Sequence, residues 1–166
     1  MSRSFRRFAV LGVCTVAAAA FGAVVPVAAD SGDGFEFTLY AKEVPAPGGD
    51  QSGPPSKVGE TFTFADDLYK TKGGEKVGRD GVICAVVRVS GTSVEANCVG
   101  TFELDGGPGG QLAGQTLATF DTSAGAPAAF DVAVTGGTGD FKNARGYIRS
   151  TPDGDYERME FHINVR

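Results

Sequence analysis

Along residues 35–42 apolar and polar side chains alternate one by one: Phe35, Phe37, Leu39 and Ala41 against Glu36, Thr38, Tyr40 and Lys42. Successive side chains of a β-strand point to opposite faces, so the pattern predicts a strand with one apolar face. The same period recurs at Phe62 and Phe64 against Thr61 and Thr63. It returns at Met159, Phe161, Ile163 and Val165 against Arg158, Glu160, His162 and Asn164. Residues 82–89 are apolar almost throughout and predict a strand covered on both faces. Further strands are expected over 94–104, 110–120, 129–135 and 146–150. Clusters of Gly, Pro, Asp and Ser separate these segments. No segment carries a 3.6-residue period. About eight short, regularly spaced strands describe an all-β sandwich or barrel. The Pro/Gly-rich stretch 45–55 is expected to form a mobile loop over one end of the fold.

The two ends of the chain differ in kind. Residues 1–29 have the layout of a secretory signal: basic Arg3, Arg6 and Arg7, an apolar run from Phe8 to Val25, then small Val27, Ala28 and Ala29 before Asp30. Pro26 and the lack of a cationic flank separate this segment from a membrane anchor. Phe5 before Arg6-Arg7 departs from a twin-arginine signal, and Cys14 in the middle of the apolar run departs from a lipoprotein signal. Residues 30–166 then form a single domain, long enough for its own core. The whole chain has 15 Lys and Arg against 20 Asp and Glu, and three of the basic residues belong to the leader. The exported domain is therefore strongly acidic. Without a basic cluster it suits neither nucleic acid nor an anionic membrane surface.

Two cysteines follow the leader, Cys84 and Cys98. An even count in an exported chain favours a disulfide over two buried thiols. If Ser90-Gly91-Thr92 is a three-residue hairpin loop, Cys84 and Cys98 face each other across the two strands. No histidine or third cysteine stands at zinc-site spacing. Asp30, Asp33 and Gly34 begin like a calcium loop, but no Glu follows at the twelfth position. The run Gly136-Gly137-Thr138-Gly139 looks superficially like a phosphate cradle. Asn143, Ala144, Arg145 and Gly146 lead instead into strand-like Tyr147, Ile148 and Arg149, where a phosphate loop would open a helix. No metal or cofactor is expected.

Three blocks, taken in order, resemble the allene oxide cyclase/dirigent superfamily. The first runs Phe62-Thr63-Phe64-Ala65-Asp66-Asp67-Leu68-Tyr69 and continues at Lys76-Val77-Gly78-Arg79. The second is Gly110-Gln111-Leu112-Ala113-Gly114-Gln115. The third joins the glycine run to Phe141 and Ala144-Arg145-Gly146. The resemblance implies an eight-stranded antiparallel β-barrel with an apolar cavity, assembled as a homotrimer.

The same resemblance implies where chemistry would sit. Asp66 stands where the cyclases have an Asn, and Cys84 matches their Cys. The first-strand carboxylate position falls on Ala41, with Glu43 one pleat away on the same face. Dirigent proteins resemble this chain at Asp66 and Asp131, while Thr138 stands where stereoselective members carry an Arg. Asp66 and Asp131 are thus candidate inward carboxylates, able to act as a base or hydrogen-bond acceptor if burial raises their pKa. The alternative is that both are strand-end carboxylates satisfied by backbone N–H groups. Phe37, Phe62, Phe64, Glu43 and Thr138 are the candidate ligand contacts, although Phe rings at such positions also build plain core. His162, on the polar face of the last strand, reads as a solvated residue, and Arg145 as a cap on the glycine corner. The expected function is a secreted, dirigent-like barrel that binds a small apolar or phenolic molecule and guides its coupling or cyclisation. The alternatives are an allene oxide cyclase-like cyclase or isomerase, and a non-catalytic extracellular interaction module.

Overall fold

The structure, a computed structural model, describes residues 34–45, 56–124 and 128–166. The predicted leader therefore lies outside the described residues, as does most of the 45–55 loop. Nine strands follow in chain order: β1 (Gly34–Glu43), β2 (Thr61–Phe64), β3 (Asp66–Tyr69), β4 (Lys76–Ser90), β5 (Ser93–Leu104), β6 (Gly110–Asp121), β7 (Phe130–Gly137), β8 (Arg145–Asp153) and β9 (Tyr156–Asn164). All pairings are antiparallel, and β4 pairs with β5 to close the sheet on itself. β2 and β3 both pair with β4 and are separated only by Ala65, so they are two halves of one stave. The result is a closed barrel of eight staves, as expected. Among the described residues the one helical element is a 3-10 turn at Gly139–Phe141.

Period-two alternation decides what faces the interior. On β1 the inward residues Phe35, Phe37, Leu39 and Ala41 pack into the core, while Glu36 and Lys42 remain exposed. On β4 the inward set is Asp80, Val82, Cys84 and Val86. The expectation that 82–89 is covered on both faces fails, because Ile83 and Val87 stand about half exposed on the outer wall. A single-walled barrel has no second layer to cover them.

Cys84 and Cys98 form a disulfide across β4 and β5. Closing a loop of this size contributes about 3 kcal/mol in the chain-entropy view. The register that joins them is not built from a three-residue loop. Ser90 pairs with Ser93 around a two-residue Gly91-Thr92 turn, and a bulge at Val87 then shifts the ladder by one residue. Gly91 has φ 61, as the first central position of a tight hairpin turn requires. The bulge restores the register in which Cys84 meets Cys98.

The interior divides into two halves. In one, Phe35 meets Phe141 edge-on at 5.3 Å, Phe37 stacks on Phe161 at 4.6 Å, and Phe102 meets Phe161 edge-on at 5.9 Å. Leu112, Phe141, Ala144, Ile148 and Phe161 are fully buried there, so this half is plugged. The glycine corner caps it. A Cβ on Gly137 would stand 2.5 Å from the Gln111 carbonyl oxygen and 2.7 Å from that of Phe141, so only glycine lets the corner close on Phe141. Arg145 ties the corner down through the carbonyl oxygens of Thr135 and Ala144, at 2.8 and 2.6 Å, in the capping role expected of it. The other half is lined by Phe62, Phe64, Val82, the disulfide, Ala96, Ala118 and Phe120. Phe62, Phe64, Val82, Thr116 and Phe120 point inward yet remain partly exposed. Water therefore reaches the lumen from this side.

The outer wall is also uneven. Across β4–β8 it carries Ile83, Val99, Leu117 and Tyr147, exposed by 44–60%. A shallow groove of about 540 Å³ runs beside them, lined by Asn97, Gln115, Leu117, Ala133 and Tyr147 among others. Ion pairs Arg79–Glu103 and Arg88–Glu95 border this band.

Candidate functional site

β2 breaks at Ala65 and restarts as β3, which carries Asp66 inward at the level of Glu43 on β1. Asp67 pairs in register with Arg79, so Asp66 lies beside Asp80 of β4. Both are carboxyls with only 6% of their surface exposed. The Asp66 backbone N–H donates to Asp80 Oδ1 at 3.1 Å, and Asp80 Oδ2 has no partner. Two positions before Met159 on the inward face of β9 comes Glu157, which accepts a hydrogen bond from the fully buried Ser150 hydroxyl. Three carboxyls from three staves thus gather where the plugged half gives way to the Phe-lined half.

Burial dominates their electrostatics, because a low-dielectric interior disfavours the charged form. It pushes Asp80 up to about 8, helped by the charge and hydrogen bond of Asp66 and by Glu157. Asp66 rises to about 6, again chiefly through burial, against the hydrogen bond with Asp80 and with added repulsion from Glu157, Glu43 and Asp67. Glu157 is raised by burial and held back by Ser150. Among the described residues no cation compensates them: Lys76 is bound to Asp67 at 2.5 Å on the outer side, and Arg79 to Glu103. Ionising one of two adjacent buried carboxyls disfavours ionising the other, so at neutral pH the Asp66–Asp80 pair retains a proton. One site thus offers a hydrogen-bond donor and a proton acceptor together, the pairing that general acid–base chemistry needs. Among the described residues no group of His, Cys, Asp and Glu is arranged to hold a metal ion.

The predicted residues separate on this geometry. Asp66 lies at the centre, Glu43 at the exposed rim opposite it, and Phe62 and Phe64 on the wall of the open half. Phe37 is inward but belongs to the plug, stacked on Phe161. Thr138 sits in the exposed corner, where its Oγ1 accepts the Gln111 N–H at 3.1 Å, and it faces no lumen. Asp131 corrects the expectation of an inward carboxylate. Val132 and Val134 take the inside of β7, so Asp131 falls outside and pairs with Arg149 at 3.1 Å. Cys84 is committed to its disulfide and offers no free thiol. His162 stays on the outer face, stacked on Tyr147 and 3.5 Å from Glu36. Asp80, Glu157 and Ser150 belong to the cluster without forming part of any candidate motif in the sequence. The signal was present: stepping back by two from Val82 reaches Asp80, and from Met159 reaches Glu157.

The family model of the dirigent-like proteins matches residues 37–166. No curated protein sequence matches the chain. Among solved structures the barrel is similar to pyocyanin demethylase, at 27% identity and a TM-score of 0.62, over 78% of this chain and 100% of that one. It is also similar in fold to two pterocarpan synthase dirigent proteins. One is 18% identical with a TM-score of 0.57, over 80% of this chain and 86% of its own. The other is 16% identical with a TM-score of 0.55, over 80% of this chain and 96% of its own.

The raised carboxyls fix a sign for pH dependence. Asp80 holds its proton more tightly folded than unfolded, so its contribution to stability is complete below its unfolded value near 4. That contribution is lost as the pH rises towards about 8. Asp80→Asn keeps the shape and removes the titration. Denaturant midpoints measured from pH 4 to 9 should fall for the wild-type chain above pH 5 and stay flatter for the variant. At pH 8 the variant should be ahead by on the order of 1–3 kcal/mol. Parallel curves would show that Asp80 ionises freely.

Proposed function

The chain belongs to the dirigent-like protein family, and from that premise we propose that its barrel takes a small aromatic or phenolic molecule through the Phe-lined half. There the Asp66, Asp80 and Glu157 carboxyls move a proton on it. The observation that carries this reading is the coincidence of part-exposed, inward Phe rings with buried carboxyls that keep a proton at neutral pH. The rings supply apolar contact and the carboxyls orient the polar end, the usual make-up of a small-molecule site. In a cyclisation or isomerisation, Asp80 donates its proton to the oxygen that gains electron density while the Asp66 carboxylate takes the proton from the attacking hydroxyl. Atoms balance without an oxidant. The similarity to a demethylase of pyocyanin and to pterocarpan synthases supports ring-bearing molecules as the substrate class.

A panel of phenols and polycyclic aromatics, screened by thermal shift, should contain members that raise the melting temperature saturably. With a turned-over member, Asp66→Asn should cost roughly 10²–10⁴ in rate while binding persists. No saturable shift from any aromatic, or an Asp66→Asn protein of full activity, contradicts the proposal.

A homotrimer is the assembly proposed for the outer wall. Ile83, Val99, Leu117 and Tyr147 form an exposed apolar band, whereas the wall of β1 and β9 carries Glu36, Lys42 and the Arg158–Glu160 ion pair. Bare apolar area of this kind marks protein contact surfaces. Native mass spectrometry should find a trimer, and Leu117→Arg should give a folded monomer. A wild-type chain that is monomeric at tens of micromolar would remove the assembly.

The place of action proposed is extracellular, with 1–29 as the cleaved leader. The disulfide supports an oxidising compartment. Intact mass of the exported chain, before and after reduction, should give Asp30 as first residue and one oxidised cysteine pair. A retained leader or free thiols would place the protein elsewhere.

A further inference from the structure

The polar groups that β1–β9 turn inward are all oxygens. They are the carboxyls of Asp66, Asp80 and Glu157, with Glu43 at the rim, and the hydroxyls of Ser150 and Thr116. Among the described residues no Lys, Arg or His points into the barrel. The stretches 46–55 and 125–127 contain none in their sequence. The cations nearest the carboxyls in sequence are already engaged outside: Lys76 with Asp67, Arg79 with Glu103, Arg158 with Glu160. Asp80 Oδ2 is buried without any partner. A buried polar atom left unpaired costs free energy that a matching ligand group can return.

The walls around this acidic floor are aromatic. Phe62 and Phe120 meet edge-on at 5.9 Å; Phe64 pairs in register with Val82, the next inward residue after Asp80, and Phe130 with Ser150, whose hydroxyl binds Glu157. Ring faces attract cations, more strongly when water is excluded. A carboxylate or phenolate in the same place would meet several like charges and no counter-ion.

We propose that the lumen selects a flat aromatic cation, a ring system bearing a protonated or N-alkylated nitrogen, over neutral and anionic rings of the same shape. The selectivity rests on the lumen being the ligand site, as proposed above. Binding of the cation favours the ionised carboxyl pair, so a proton leaves as the ligand enters. The groups that act on Asp80 are acidic, Asp66 from β3 and Glu157 from β9, while Glu43 of β1 acts on Asp66 from the rim. Glu103 of β5 and Asp67 of β3 are held by cations outside. Cation affinity must therefore rise with pH.

Three probes of matched shape test this on the full protein: N-methylquinolinium, 1-methylnaphthalene and 1-naphthoate, titrated by calorimetry. The cation should bind about tenfold or more tighter than the neutral ring, and the anion should be the weakest. Affinity for the cation should climb between pH 6 and 8, by up to about tenfold per unit where one proton leaves per ligand. D66N/D80N should lose the preference while still binding 1-methylnaphthalene. If that variant does not fold, Glu157→Gln and the wild-type pH series carry the same test. A neutral ring that binds as well as the cation, or a cation affinity flat in pH, overturns the charge selectivity and leaves the lumen as the ligand site. No binding of any of the three overturns both.

Discussion

A carboxyl group inside a closed barrel has few ways to be satisfied. Water is limited, most backbone amides are committed to the ladder, and a charge without a counter-ion is strongly disfavoured. Asp80 meets this constraint through one oxygen bound to the Asp66 amide and a proton retained on the shared pair. The surroundings are consistent with that solution. Lys76 and Arg79, the cations flanking Asp80 in sequence, point outward and are tied there by Asp67 and Glu103. Glu157 is steadied by Ser150 and adds a third acidic group. Among the described residues, every Lys, Arg and His of the strands lies on the outer side of the single-layer wall.

That arrangement depends on the division of the barrel. The half closed by Phe35, Phe37, Phe141 and Phe161 gives the fold its apolar core. The half lined by Phe62, Phe64, Phe120 and the disulfide is held by covalent and edge-on aromatic contacts around a lumen that water reaches. The apolar core and the partly exposed lumen thereby occupy opposite ends of the same strands. The acidic residues sit at the junction, where a rigid floor fixes their positions beside a half that water reaches.

Much of the fold was legible in the sequence because a barrel wall obeys one rule. The alternation at Phe35–Lys42 and at Arg158–Val165 predicted which faces would be buried, and the barrel bears this out. The site was less legible, because motif resemblance points to Asp131 while the alternation rule points elsewhere. Applied to β7 it puts Val132 and Val134 inside and Asp131 outside. Applied to β4 and β9 it turns Asp80 and Glu157 inward. Other features had no local signal. The bulge at Val87 compensates a shorter turn at Gly91-Thr92, so a wrong loop length and an unseen bulge cancelled to give the right cysteine pairing. The exposure of Ile83 and Val87 follows from the single-layer wall, which a run of apolar residues does not reveal.

The central claim is that the buried aspartate pair carries a proton at neutral pH. Isotope-edited infrared titration of the protein labelled with 13C-aspartate reads this directly from the carboxyl C=O stretch. A neutral aspartic acid band should persist at pH 7, fade as the pH passes about 8, and be absent from Asp80→Asn. Complete ionisation of every aspartate by about pH 5, as for side chains in water, would contradict the account.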